Sequence, residues 1–155
     1  MIGIKSSKTL VAFTSLILFI IYGEIALGQH RTTAKFKIGF THHSWNDALK
    51  MAKATHKYLF VDAYATWCAP CKQLKATTFS NAKVAKYFNQ NFVNLSLDAE
   101  KGDGVAFGSK WDLQSYPTLY FFDNDGDLIK RYEGFIAPEE LLTLAGRVNQ
   151  QRKHL

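Results

Sequence analysis

The two cysteines of this 155-residue chain, Cys68 and Cys71, stand two residues apart directly behind a nearly unbroken apolar run, "YLFVDAYA" (Tyr58 to Ala65). A run of that length and composition predicts a central strand covered on both faces. Such a strand needs a layer of structure above it and another below. The flanking sequence supplies them. Ser44 is placed to cap a helix whose Trp45, Leu49 and Ala52 share one face to about His56. Behind the cysteines "APCKQLKATTF" continues as a helix, and Ser80 is placed to cap a second segment, "NAKVAKYFNQ". "FVNLSLD" (Phe92 to Asp98) reads as a strand and a short helix is expected around Val105 to Trp111. "PTLYFFD", the turn "NDGD" and "LIKRYEG" read as a hairpin. Pro138, followed by Glu139 and Glu140, opens a closing helix with Leu141, Leu144, Ala145 and Val148 on one face. The expectation is an α/β chain, a mixed sheet inside a three-layer α/β/α sandwich.

The N-terminus carries a different signature. Lys5 and Lys8 precede "LVAFTSLILFIIY", an uncharged stretch, and "ALGQ" follows with Ala26 and Gly28 placed as at a cleavage site. A bilayer-spanning helix needs about 20 apolar residues, and Glu24 interrupts this one early. Residues 1–28 are therefore read as a secretory signal, with a retained membrane anchor facing the periplasm as the alternative. Residues 29–43 are polar, without clear periodicity, and are read as an exposed lead-in to one domain over 44–155. The formal net charge is +6, and its lysines are spread through the expected helices rather than gathered in a tract. That favours a mildly basic, solvated surface over nucleic-acid binding.

The cysteine spacing has chemistry of its own. A thiolate, not a thiol, attacks a disulfide, and an ordinary cysteine is mostly protonated at neutral pH. At the start of a helix, unpaired backbone N–H groups and the helix dipole stabilise the anion. Cys68 is thus the expected nucleophile, and Cys71, less exposed in this geometry, the residue that resolves the mixed disulfide. Pro70 is tolerated because its missing N–H is not needed in the first turn. Asp62 interrupts the apolar run. A buried carboxylate unpaired by a cation has a raised pKa, so Asp62 can hold or accept a proton near neutrality, or else serve as a strand-end acid bound to backbone.

"FVDAYATWCAPCK", "FVNLSLD" and "SYPTLYFFDNDGDLIKRYEG" together resemble the thioredoxin-fold family. The likeness is greatest to secreted thioredoxin-like domains related to the reductase module of periplasmic disulfide-transfer systems. The resemblance implies a thiol:disulfide oxidoreductase without a cofactor, in which Asp62 accepts the proton of Cys71. It further implies that the Tyr116–Pro117 bond is cis and faces the cysteine pair. Tyr116 then offers its backbone to an extended substrate, whereas local sequence alone favours a trans proline opening the next strand. Trp67, before the first thiol, is expected to contact substrate. One departure is Asn94, which stands where many relatives carry a lysine near the acid.

The alternatives differ in class. A structural disulfide closing so short a loop constrains little chain. Zinc needs four ligands, and His42, His43 and His56 have no ligand spacing to the cysteines, so no metal site is assigned. Cu(I) needs fewer thiolates, which keeps a copper-handling protein as the non-enzyme rival. Ala69-Pro70 lacks the histidine of strongly oxidising relatives, and no second domain offers the dimerisation of many isomerases. Both lean towards a monomeric reductase over an oxidase or isomerase. In an exported setting a reductase would draw electrons from a membrane-bound donor and pass them to protein disulfides.

Overall fold

A computed structural model of the protein describes residues 36–151, so the signal-like residues 1–28 and the first part of the lead-in lie outside the described residues. In chain order the elements are α1 (Trp45–Thr55), β1 (Tyr58–Tyr64), α2 (Ala69–Ala76), α3 (Ala82–Asn91), β2 (Phe92–Asp98), α4 (Asp103–Lys110), β3 (Thr118–Phe122), β4 (Leu128–Glu133) and α5 (Pro138–Gln151). The strands form one mixed sheet in the order β2-β1-β3-β4. β1 runs parallel to β2, pairing Asp62 with Ser96, and antiparallel to β3, pairing Asp62 with Leu119. β3 and β4 form the expected hairpin. One oxygen of Asp123 accepts the N–H groups of Asp125, Gly126 and Asp127 across its turn.

Alternation along β1 explains why its sequence is apolar throughout. Leu59, Val61 and Ala63 point to one face, where they pack with Ala48 and Ala52 of α1 and Phe107 of α4. Tyr58 and Phe60 point to the other, against Leu74 of α2, Val84 and Phe88 of α3 and Leu141, Ala145 and Val148 of α5. Each face buries its own cluster, giving the three layers expected of a doubly covered strand. Asp62 continues the second face.

Local chemistry sets the ends of the helices. Ser44 Oγ accepts the Asp47 N–H and donates to its carboxylate, closing a reciprocal cap on α1. α2 stops earlier than the sequence pattern indicates. Thr78 and Phe79 leave the helix to be buried, Thr78 by donating to the Ile136 carbonyl. The cap of α3 is Asn81 rather than Ser80, because Asn81 Oδ1 accepts the N–H groups of Lys83 and Val84 while Ser80 Oγ donates to the Lys75 carbonyl.

The described part of the lead-in, residues 36–43, is also more than an exposed approach. Ile38 is buried, and Phe40 packs on Phe79 with ring centroids 5.1 Å apart. The Ile38 N–H donates to the Phe79 carbonyl (2.9 Å), the Thr41 N–H to the Asn94 carbonyl (2.8 Å), and the Ser96 N–H to the Thr41 carbonyl (3.5 Å). Thr41 thereby bridges the open edge of β2 in parallel register with Leu95. Two apolar residues at alternate positions, each with a buried partner, hold the segment down.

Candidate active site

At the C-terminal end of β1 the chain turns through Ala65 to Trp67 and enters α2 at Cys68. Cys68 is the N-cap, with extended backbone (φ −68°, ψ 110°), and its Sγ accepts the Cys71 N–H at 3.1 Å. The sulfur thus takes the place that a serine or aspartate oxygen fills at most helix starts. Pro70 falls within the first turn, where its missing N–H costs nothing. Cys68 and Cys71 are joined as a disulfide with an S–S distance of 2.11 Å.

Both sulfur-bearing residues are shielded almost equally, at 3% exposure for Cys68 and 2% for Cys71. This differs from the expected contrast between an exposed and a sheltered cysteine. In the disulfide, Cys68 turns its sulfur inward, onto the helix end and onto Cys71, so neither presents much surface. They pack with Ala65, flanked by the half-buried Tyr64 and Tyr116.

The residues expected around the pair converge on it unequally. The Tyr116–Pro117 bond is cis, and Tyr116 reaches the cysteine cluster. Trp67 is 65% exposed. Its indole N–H donates to Glu100 Oε1 at 2.9 Å, and its ring meets that of Tyr116 edge-on at 5.7 Å. Residues from three separate loops therefore form one surface beside the disulfide.

Asp62 is 1% exposed and continues the β1 face of Phe60, against which Leu74 of α2 packs. Oδ2 accepts the Ser96 hydroxyl at 3.1 Å, and Oδ1 has no hydrogen-bond partner. Burial pushes the carboxyl up to about 6, against the opposing pull of Lys75 and of the Ser96 hydrogen bond. Asn94 faces Phe60, not Asp62, across the sheet. Its amide donates to Asn89 Oδ1 (3.4 Å), which also receives the Gly39 N–H (2.8 Å), so Asn94 belongs to the anchorage of the N-terminal segment.

The cation near the acid comes instead from Lys75, whose Nζ is 4.0 Å from Asp62 Oδ2. Sequence reading missed Lys75. Its spacing held a signal, since a residue four after Cys71 lies on the same helix face. Among the described residues no three or more His, Cys, Asp and Glu side chains gather as a metal site, and His42 and His43 are exposed.

Comparison with known proteins identifies relatives of the chain. The family model described as "Thioredoxin-like domain" matches residues 45–149. The chain is 28% identical over 144 residues to the thiol:disulfide interchange protein DsbD of Pseudoalteromonas atlantica, covering 85% of this chain and 24% of that protein. It is 28% identical over 116 residues to protein disulfide isomerase-like 1-1 of Arabidopsis thaliana, covering 74% of this chain and 22% of that one. The chain thus spans about a quarter or less of the length of these relatives. Among solved structures, a candidate disulphide-isomerase from Bacteroides thetaiotaomicron aligns with a TM-score of 0.64 at 42% identity, over 72% of this chain and 93% of that chain. With a family model matched over residues 45–149, the chain belongs to the thioredoxin-like domain family.

Proposed function

We propose that the protein exchanges thiols for disulfides through Cys68 and Cys71, working in the reducing direction on disulfides of exported proteins. The observation that carries this reading is the Cys71 N–H donated to Cys68 Sγ at the start of α2. The same donor and the helix dipole stabilise a thiolate at Cys68 once the disulfide is opened. That thiolate attacks one sulfur of a substrate disulfide. A mixed disulfide forms and the other substrate sulfur leaves as a thiolate, to be protonated by solvent. Cys71 then loses its proton to the Asp62 carboxylate and attacks the Cys68 sulfur, which expels the second substrate thiolate and restores the Cys68–Cys71 disulfide. Two electrons pass to the substrate. A dithiol donor must return them for another cycle, and a membrane-bound one suits a compartment where disulfides persist.

Trp67 and Tyr116 form the docking surface in this reading, and the backbone beside cis Pro117 pairs with an extended substrate segment. Residues 1–28 direct export, with a membrane anchor as the other possibility, and the mature domain acts as a monomer in the periplasm. Among the described residues no helix is long and apolar enough to cross a membrane.

The relatives described as disulfide isomerases favour a second reading, reshuffling in place of net reduction. Equilibrium with glutathione separates the two. A reduction potential near about −270 mV supports the reductase, near about −180 mV the isomerase, and near about −120 mV overturns both in favour of an oxidase.

A further inference from the structure

Asn94 leaves the strand beside Asp62 without a cation, yet the acid has a charged neighbour from another element. Lys75 Nζ lies 4.0 Å from Asp62 Oδ2 and 3.2 Å from the centroid of the Tyr64 ring. Tyr64 is two residues beyond Asp62 on β1 and so emerges on the same face. The ammonium is thus close to both groups, over the electron-rich face of the phenol and near the carboxylate. Lys75 is 40% exposed at its side chain and Asp62 1%, so the lysine spans from solvent to the buried acid.

The other groups around the acid are accounted for. β2 brings the Ser96 hydroxyl, β3 brings uncharged Leu119, and α2 brings Cys71 one turn before Lys75. Asp98, at the end of β2, is engaged with Lys101 at 3.4 Å. Ser96, which donates to Asp62, and Lys75, 4.0 Å from it, both line a cavity of about 430 Å³, which Lys37, Phe40 and His42 of the N-terminal segment also line. Among the described residues, those that the N-terminal segment contributes to that cavity carry no carboxylate.

We propose that Lys75 is the positioning residue for the buried acid: held against the Tyr64 ring, its ammonium lowers the cost of ionising Asp62 and keeps the carboxylate available to take the Cys71 proton. This rests on the reading of Asp62 as that proton acceptor. Lysine in the neighbouring strand is replaced here by lysine from the helix that also carries both cysteines. The charge that tunes the acid is therefore covalently tied to the redox pair by a single turn of helix.

The test uses the oxidised protein, in which neither thiol titrates. The Asp62 carboxyl carbon is followed by 13C NMR against pH in wild type, Lys75→Met and Lys75→Arg, with Asp62→Asn for assignment. An opposite charge at this distance lowers a carboxyl by about 1–3 pH units, and partial exposure of the lysine argues for the low end. The Asp62 midpoint is expected to rise by about one unit in Lys75→Met and to return most of the way in Lys75→Arg. An unmoved midpoint in Lys75→Met overturns the proposal. The pH profile of disulfide exchange in Asp62→Asn is read separately: a profile identical to wild type removes Asp62 from the chemistry, whereas the NMR midpoints still decide whether Lys75 tunes it.

Discussion

Replacing Asp62 by asparagine should make the oxidised protein progressively more stable, relative to wild type, as pH rises from acid to neutral. Asp62 is 1% exposed with one oxygen lacking a partner, and its carboxyl stands at about 6 against an ordinary 3.8. The folded protein therefore holds this proton about two pH units more tightly than the unfolded chain does. At about 1.4 kcal/mol per unit, that is about 3 kcal/mol. Below pH 3.8 the group is protonated in both states and costs nothing. As pH climbs through the unfolded value, the unfolded chain ionises freely while the folded one resists, and the penalty is complete once pH passes about 6. Asparagine cannot ionise and escapes this window. Its amide leaves an unpaired N–H worth about 1–3 kcal/mol, but that cost is the same at every pH. Urea unfolding with the disulfide intact, at about pH 3.5 and about pH 7.5, should show the variant gaining about 3 kcal/mol on wild type between the two conditions. A difference constant to within about 0.5 kcal/mol would falsify the claim that the folded protein raises this carboxyl.

Two further outcomes are expected. With a peptide disulfide as substrate, Cys71→Ser should accumulate a mixed disulfide through Cys68, read by intact mass, and Cys68→Ser should accumulate none; trapping by both variants alike would remove the division of labour between them. In α4, a Cβ on Gly104 would lie 2.0 Å from the Asp98 carbonyl oxygen, so Gly104→Ala should lose about 1–3 kcal/mol in urea unfolding. The ordinary helix effect of that substitution is a gain of up to about 1 kcal/mol, and a raised urea midpoint would show that the helix shifts at no cost.

What sequence alone disclosed follows the range of the interactions involved. The bounds of β2 and the cap at Ser44 were legible because periodicity and a reciprocal Ser44–Asp47 bond act within a few residues. Burial of Asp62 was legible for the same reason, since the apolar run on both sides of it left no polar face to turn it towards. Ser80 and Asn81 were harder to separate. Both side chains can cap, and what decides is which oxygen meets the N–H groups of Lys83 and Val84. The spacing of Lys75 places it on the helix face of Cys71, but its meeting with Asp62 depends on how α2 docks on the sheet, which local spacing does not contain. Ile38 and Phe40 alternate over too short a span to register as a strand, and their shared partner Phe79, like the β2 edge that Thr41 meets, lies about forty residues away or more.

The anchorage of residues 38–41 has a bearing on how the molecule behaves in company. A bare strand edge is a row of unmet donors and acceptors that any extended chain can zip onto, its own copies included. Here the Asn94 carbonyl and the Ser96 N–H on the outer edge of β2 are already engaged by Thr41. Phe40 also packs on the buried Phe79. Trimming the chain to begin at the α1 cap would keep Cys68, Cys71 and Asp62 while uncovering the Asn94 carbonyl and the Ser96 N–H. A few residues outside the disulfide thus cover an edge that another extended chain could otherwise pair with.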